Sequence, residues 1–171
     1  MSVIERAPAA GVAIVDPFTL PRAPAPRRPR ILSYVGRWGR ARRWLPKEAL
    51  RVLDVGCSLG YGSAAIQAGG PDGRVVVGVE RDPEHLRGAG ERFAWLTVLE
   101  GDATALPVAD DSFDAALSVQ VLEYVADIPA ALAEIRRALR PGGRAVIWDV
   151  DWTTISMRTA ETERMRRMLD A

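Results

Sequence analysis

Val52-Leu-Asp-Val-Gly-Cys-Ser-Leu-Gly60 is the stretch on which the reading of the fold turns. Val52-Leu-Asp-Val55 is a short apolar run of the kind buried in a sheet, and the glycines that follow make a turn into a helical stretch around Ser63–Ala68. The pattern repeats outward from there. Val75-Val-Val-Gly-Val79 reads as a second strand, after which Asp82 offers an N-cap and Pro83 a first helical residue for a helix to about Phe93. Leu96-Thr-Val-Leu99 is a third strand and Phe113–Val119 a fourth. Asp127 caps another helix, whose apolar stripe is Ile128, Ala131, Leu132, Ile135 and Leu139. That helix is expected to stop at Pro141-Gly142-Gly143, leaving Arg144–Val150 as a fifth strand. Strands apolar on both faces, alternating with helices, predict an α/β fold with a mainly parallel sheet covered on both sides.

The remaining bulk properties bound the function. At 171 residues the chain suits one domain, and 48% hydrophobic with 26% charged residues is ordinary for a globular protein. Its net charge of +1 is unevenly spread: residues 1–50 carry nine Arg and one Lys against Glu5, Asp16 and Glu48, so the remainder is acidic. A basic arm suits an anionic partner, although a solvated leader is the simpler reading. Prolines at 8, 17, 21, 24, 26 and 29 make residues 1–30 a Pro/Arg-rich flexible leader. Residues 31–50 form an N-terminal helix with Ile31, Val35, Trp38 and Leu45 near one face, weakened by Gly36 and Gly39. The sheet domain is 51–151, and 152–171 is a Glu/Arg-rich helical segment. A lone Cys57 permits no internal disulfide, and Cys57 with His85 is too little for a structural zinc site, so no metal is expected. No signal-peptide layout and no apolar run near the membrane-spanning length of about 20 residues is present, which makes the cytoplasm the expected location.

In parallel α/β sheets ligands sit beyond the carboxyl ends of the strands. The first strand leads into Gly56, Ser58, Gly60 and Gly62. A dinucleotide fingerprint counted from Gly56 needs glycine at 58 and 61, where Ser and Tyr stand, so a nicotinamide-dependent oxidoreductase is disfavoured. The second strand ends in Glu80, suited to ribose hydroxyls, and the third in Gly101-Asp102-Ala103, where a carboxylate could accept from an adenine amino group. Acids at successive strand ends suit a ligand with a cationic amino-acid part, a ribose and an adenine, and repel a pyrophosphate.

The ordered set of Val52-Leu-Asp-Val-Gly-Cys-Ser-Leu-Gly60, Glu80, Gly101-Asp102, Leu106-Pro-Val-Ala-Asp-Asp-Ser-Phe-Asp114, Val121-Leu-Glu-Tyr124 and Leu139-Arg-Pro-Gly-Gly143 resembles the class I S-adenosylmethionine (SAM)-dependent methyltransferases. The branch it most resembles includes the ubiquinone/menaquinone C-methyltransferases and many small-molecule enzymes. The resemblance covers roughly residues 34–151 and implies a Rossmann-like three-layer sandwich with strand order 3-2-1-4-5. It also implies SAM as cofactor, with Asp54, Gly56 and Gly60 (and Cys57 within the same loop) at its methionine end. Glu80 would then bind the ribose hydroxyls, Arg81 would lie beside the adenine, Asp102 and Ala103 would hold the adenine edge, and Gln120 would close the pocket. Ser58 stands where the family usually has Gly, and Tyr124 where many relatives have His. The family sheet has seven strands with an antiparallel hairpin after the fifth, and this chain leaves no room for that hairpin before Ala171, so a fragment or shortened form of a longer enzyme is expected.

The other chemistry-bearing residues read as follows. Cys57 is expected to pack under the loop, and His85 to be exposed in a first helical turn. Trp38, Trp95, Met157, Met165 and Met168 read as packing residues. Methyl transfer needs a general base only where the acceptor must lose a proton; Tyr124, Asp149 and Asp151 are the weak candidates on the acceptor side. The expected acceptor is a small molecule methylated on carbon or oxygen. Two alternatives stand beside it: a non-catalytic SAM-binding module, and a nucleic-acid methyltransferase using the basic leader, although Ser118-Val-Gln-Val occupies the place of an Asn-Pro-Pro-Tyr-type loop. A homo-oligomer is compatible with the sequence.

Overall fold

The computed structural model describes Phe18, residues 40–151 and Arg167. The rest of the expected leader, residues 31–39 of the N-terminal helix with Trp38, and the C-terminal segment with its methionines lie outside the described residues, as does any hairpin after the fifth strand. From Arg40 the chain passes through a helical turn that tightens to a 3-10 turn at Arg42–Trp44. Five strands follow: β1 (Arg51–Val55), β2 (Val75–Glu80), β3 (Thr97–Glu100), β4 (Phe113–Val119) and β5 (Leu139–Trp148). All pairings are parallel and the order is β3-β2-β1-β4-β5, as the resemblance implied. Three helices connect them: α1 (Tyr61–Ala68), α2 (Pro83–Arg92) and α3 (Ile128–Ala138).

Alternation along the strands divides the core in two. Val52, Val76, Ala115 and Leu117 face Ala64 and Ile66 of α1 together with Phe93 and Leu96. Leu53, Val55, Val77, Val79 and Ala116 face Ala131, Ile135 and Ala138 of α3, with Leu106 and Val108 filling the same layer. Strand order reverses between β1 and β4, which opens the crevice at their carboxyl ends. At the opposite, amino-terminal ends, Phe18 packs its ring 5.4 Å from Phe113 with the Arg51 guanidinium 4.3 Å over it.

Caps fall where the sequence places them. Asp82 Oδ1 accepts from the Glu84 and His85 N–H groups ahead of Pro83, and Asp127 Oδ1 accepts from Ala130 N–H. Three expectations need correction. The N-terminal helix expected to reach residue 50 ends at Trp44, because Leu45 is extended ahead of Pro46. The fifth strand begins five residues earlier than Arg144 and ends at Trp148, because Leu139 already pairs with Phe113 and the Pro141-Gly142-Gly143 segment is a register shift inside the ladder. The helix before it ends at Ala138. The α3 stripe is also rotated: Ala131, Ile135 and Leu139 are buried, whereas Ile128 and Leu132 are 42% and 41% exposed. The cause is a polar anchor. Buried Glu134 accepts from Leu106 N–H at 2.8 Å and pairs with Arg137, whose guanidinium also donates to the Leu106 and Val108 carbonyls and to Asp110.

Removing that anchor leaves the buried Leu106 N–H without its acceptor and strips the largely buried Arg137 of one of its two carboxylate partners. Glu134→Ala is expected to lower unfolding free energy by about 3 kcal/mol in chemical denaturation. The exposed Glu91→Ala on α2 is expected to stay within about 0.5 kcal/mol of wild type.

Candidate functional site

The carboxyl ends of β1, β2 and β4 and the loop after β3 surround a cavity of about 370 Å³, within the range of small-molecule sites. Gly56, Glu80, Arg81, Asp102, Ala103 and Gln120 lie on its wall. Asp54, Cys57 and Gly60 do not; they build the floor that positions the wall. Gly60, at φ +80°, is the residue before α1, and a side chain there would press into Phe93 and Leu96. Cys57 is buried with its sulfur against Gly78, and burial pushes its thiol well above the ordinary range, so it is an inert packing group. Asp54 is fully enclosed and accepts a 2.6 Å hydrogen bond from Ser63 Oγ. Desolvation, partly offset by Ser63 and reinforced by the negative Glu80, pushes its carboxyl up to about 7.

Glu80 is held by backbone donors alone. Its Oε1 accepts from the Arg81 and Asp82 N–H groups at 2.9 Å each, and its Oε2 accepts from Ser58 N–H at 2.9 Å. A carboxylate offers about four acceptor positions, so one remains, on Oε2. The glycine loop closes onto the same strand end through Gly56 and Cys57 N–H bonds to the Val79 carbonyl. Asp102 is oriented from one side: Oδ1 accepts from the Thr104 N–H and hydroxyl, and these bonds hold its carboxyl below the usual range. Its Oδ2 lies 4.0 Å from Arg81 and stays available to a donor in the cavity.

Among the wall residues not assigned to the site from sequence are Ser58, Asp82, Val121 and His85. Ser58 takes a left-handed backbone at φ +48°, so the position usually held by glycine keeps the glycine conformation despite its side chain. His85 is exposed, as expected, yet reaches the rim because the first turn of α2 opens on the crevice, a position its spacing from Asp82 could have signalled. Of the three candidate bases, Tyr124 alone lines the cavity, with 66% of its surface exposed. Asp149 instead accepts from Val121 N–H at 2.8 Å, and exposed Asp151 is off the wall. Among the described residues no group of three or more His, Cys, Asp or Glu could hold a metal ion, and no helix is long and apolar enough to cross a membrane.

Comparison with known proteins places this geometry. Residues 53–147 match the family model described as a methyltransferase domain. The chain is 37% identical over 123 residues to the ubiquinone/menaquinone biosynthesis C-methyltransferase UbiE of Paracoccus denitrificans, covering 67% of this chain and 48% of that one. It is 40% identical over 101 residues to the malonyl-[acyl-carrier protein] O-methyltransferase of Erwinia pyrifoliae, covering 59% of this chain and 37% of that one. The chain therefore spans about half or less of the length of these curated relatives. A SAM-dependent methyltransferase from Thermotoga maritima, described as a possible histamine N-methyltransferase, superposes with a TM-score of 0.57 at 30% identity, over 67% of this chain and 50% of that one.

Asp54 carries a pH signature. Its folded pKa lies above the unfolded value, so the native state retains a proton that the unfolded chain releases, and stability falls as pH rises from about 4 to about 7. Asp54→Asn keeps an acceptor for Ser63 and lacks that titration. The stability of the variant minus that of wild type should grow by up to about 4 kcal/mol between pH 4 and pH 8 in urea denaturation. A difference that is flat with pH contradicts the assignment.

Proposed function

This chain belongs to the methyltransferase-domain family, and on that premise we propose that it transfers a methyl group from SAM to carbon or oxygen of a small-molecule acceptor. The observation that carries the reading is the pair of oriented carboxylates, Glu80 and Asp102, on one cavity wall, with the glycine loop bonded to Glu80 beside them. The residues fit the cofactor. The open position on Glu80 Oε2 suits a ribose hydroxyl, and Asp102 Oδ2, which meets only the Arg81 guanidinium at 4.0 Å, suits the adenine amino group, with Ala103 and Val79 as the apolar surface beneath the ring. Glu80, Asp82 and Asp102 outnumber Arg81 on the wall, a balance that favours a sulfonium and an ammonium and opposes a pyrophosphate.

Asp54, Cys57 and Gly60 support the methionine end from below, through the turn that they build. When bound, the cofactor supplies a methyl group already activated by its positive sulfur. What the chain must do is align the acceptor and exclude water. Gln120, Val121, Tyr124 and Val125 form the wall on that side. Tyr124 is positioned to take part in acceptor proton transfer where the acceptor atom carries a proton. A small-molecule acceptor suits that side better than a nucleic acid, since Gln120, Val121, Tyr124 and Val125 offer no basic group to meet a phosphate backbone. A cytoplasmic setting goes with such an enzyme.

Calorimetry with SAM tests this directly. Wild type is expected to bind, and Glu80→Ala to bind about 10- to 100-fold more weakly, the worth of a charge-assisted hydrogen bond. Absence of wild-type binding from folded protein overturns the reading; binding without methylation of any acceptor leaves a SAM-binding module.

A further inference from the structure

Three hydrogen bonds fasten the loop after β4 to the end of β5. Gln120 N–H donates to the Trp148 carbonyl at 2.8 Å, Val121 N–H to Asp149 Oδ1 at 2.8 Å, and Val150 N–H to Glu123 Oε2 at 3.3 Å. The loop so held supplies Gln120, Val121, Tyr124 and Val125 to the cavity wall. Gln120 is kept in a left-handed conformation at φ +57°, which a non-glycine residue adopts only when its surroundings impose it. Val121 turns its side chain onto Gly56, where even a Cβ would overlap it. The positions of Val121 and of the glycine loop are therefore set against each other.

Both carboxylates of this clasp are half-used: Asp149 Oδ2 and Glu123 Oε1 are buried with no hydrogen-bond partner among the described residues. Burying unpaired carboxylate oxygens costs stability, and what Asp149 supplies in return is the Oδ1 acceptor at the Val121 N–H. We propose that Asp149 is a positioning residue for the cofactor: Oδ1 fixes the Val121 N–H, which seats Val121 on Gly56 and sets the glycine loop for binding. Asp149 stands off the cavity wall and acts through Val121; Glu123 closes the clasp from the other side through Val150. This inference rests on the SAM reading and names a residue that the reading does not use.

The test is SAM calorimetry on wild type and variants, with hydrogen exchange at the Val121 amide as a readout that needs no cofactor. Asp149→Ala is expected to bind SAM about tenfold more weakly, the value of one lost charge-assisted hydrogen bond, with fast exchange at Val121. Asp149→Asn keeps the acceptor oxygen and should restore both affinity, to within about twofold, and protection of that amide. Val121→Ala should weaken binding comparably, and its combination with Asp149→Ala should be no weaker than the worse single variant, because both act through one contact. The inference is overturned if Asp149→Ala binds as wild type does, if Asp149→Asn is as weak as Asp149→Ala, or if the two losses add. A Val121 amide unprotected in wild type overturns it without reference to SAM. Wild type that keeps Val121 protected but does not bind SAM overturns the cofactor reading and this inference with it. Should Asp149→Ala fail to melt cooperatively, the Asn and Val121 variants decide between the same outcomes.

Discussion

The carboxylate of Glu80 is the joint around which the site is assembled. It gathers three backbone N–H groups, one from the loop after β1 and two from the turn after β2, onto a single side chain. Without it the Ser58 N–H would lose its acceptor, and Ser58 would have no compensation for its left-handed backbone. The parallel pairing of β1 with β2 in register places Val55 beside Val79, so Gly56 and Glu80 emerge from the sheet at the same level. The sheet thus dictates that these two loops meet, and Glu80 dictates how.

Much of this was legible in the chain because it depends on local chemistry. The apolar runs of β1, β2 and β4 can be buried only in a sheet covered on both faces, and Asp82 and Asp127 each stand one residue before a helix that they cap. The strand-end acids Glu80 and Asp102 followed from the same logic and do share a cavity. What escaped the sequence depends on distant partners. The roll of α3 is decided by Glu134 meeting Leu106 and Arg137, 28 residues from Glu134 in one case, and no periodicity within the helix encodes that. The early start of β5 is decided by Phe113 across the ladder. Asp54 reads as a ligand-facing acid, yet it is tied to Ser63 beneath the loop. Asp149 reads as a base near the acceptor, yet it stands off the cavity wall with Oδ1 taken by the Val121 amide.

Among the described residues four buried side-chain oxygens are without a partner, and three of them, on Ser118, Glu123 and Asp149, lie at or just beyond the carboxyl ends of β4 and β5; the fourth, on Thr97, is at the start of β3. The enclosed Asp54, with its carboxyl pushed up to about 7, stands on the neighbouring strand β1. A crevice that concentrates desolvated oxygens gives up stability to keep negative potential directed at one place. That is the electrostatic preparation expected of a site for a cationic ligand, and it contrasts with the basic character of residues 1–50.

Backbone amide chemical shifts during titration with SAM test the central claim most directly, since the donors that Glu80 organises report on their own surroundings. The account predicts saturable shifts concentrated at Ser58, Arg81, Asp82, Ala103 and Gln120, with none at the Phe18–Phe113 contact on the opposite end of the sheet, and no such pattern with NAD. Shifts that fail to saturate, or that centre on the exposed edge of β5 rather than on the crevice, would contradict it.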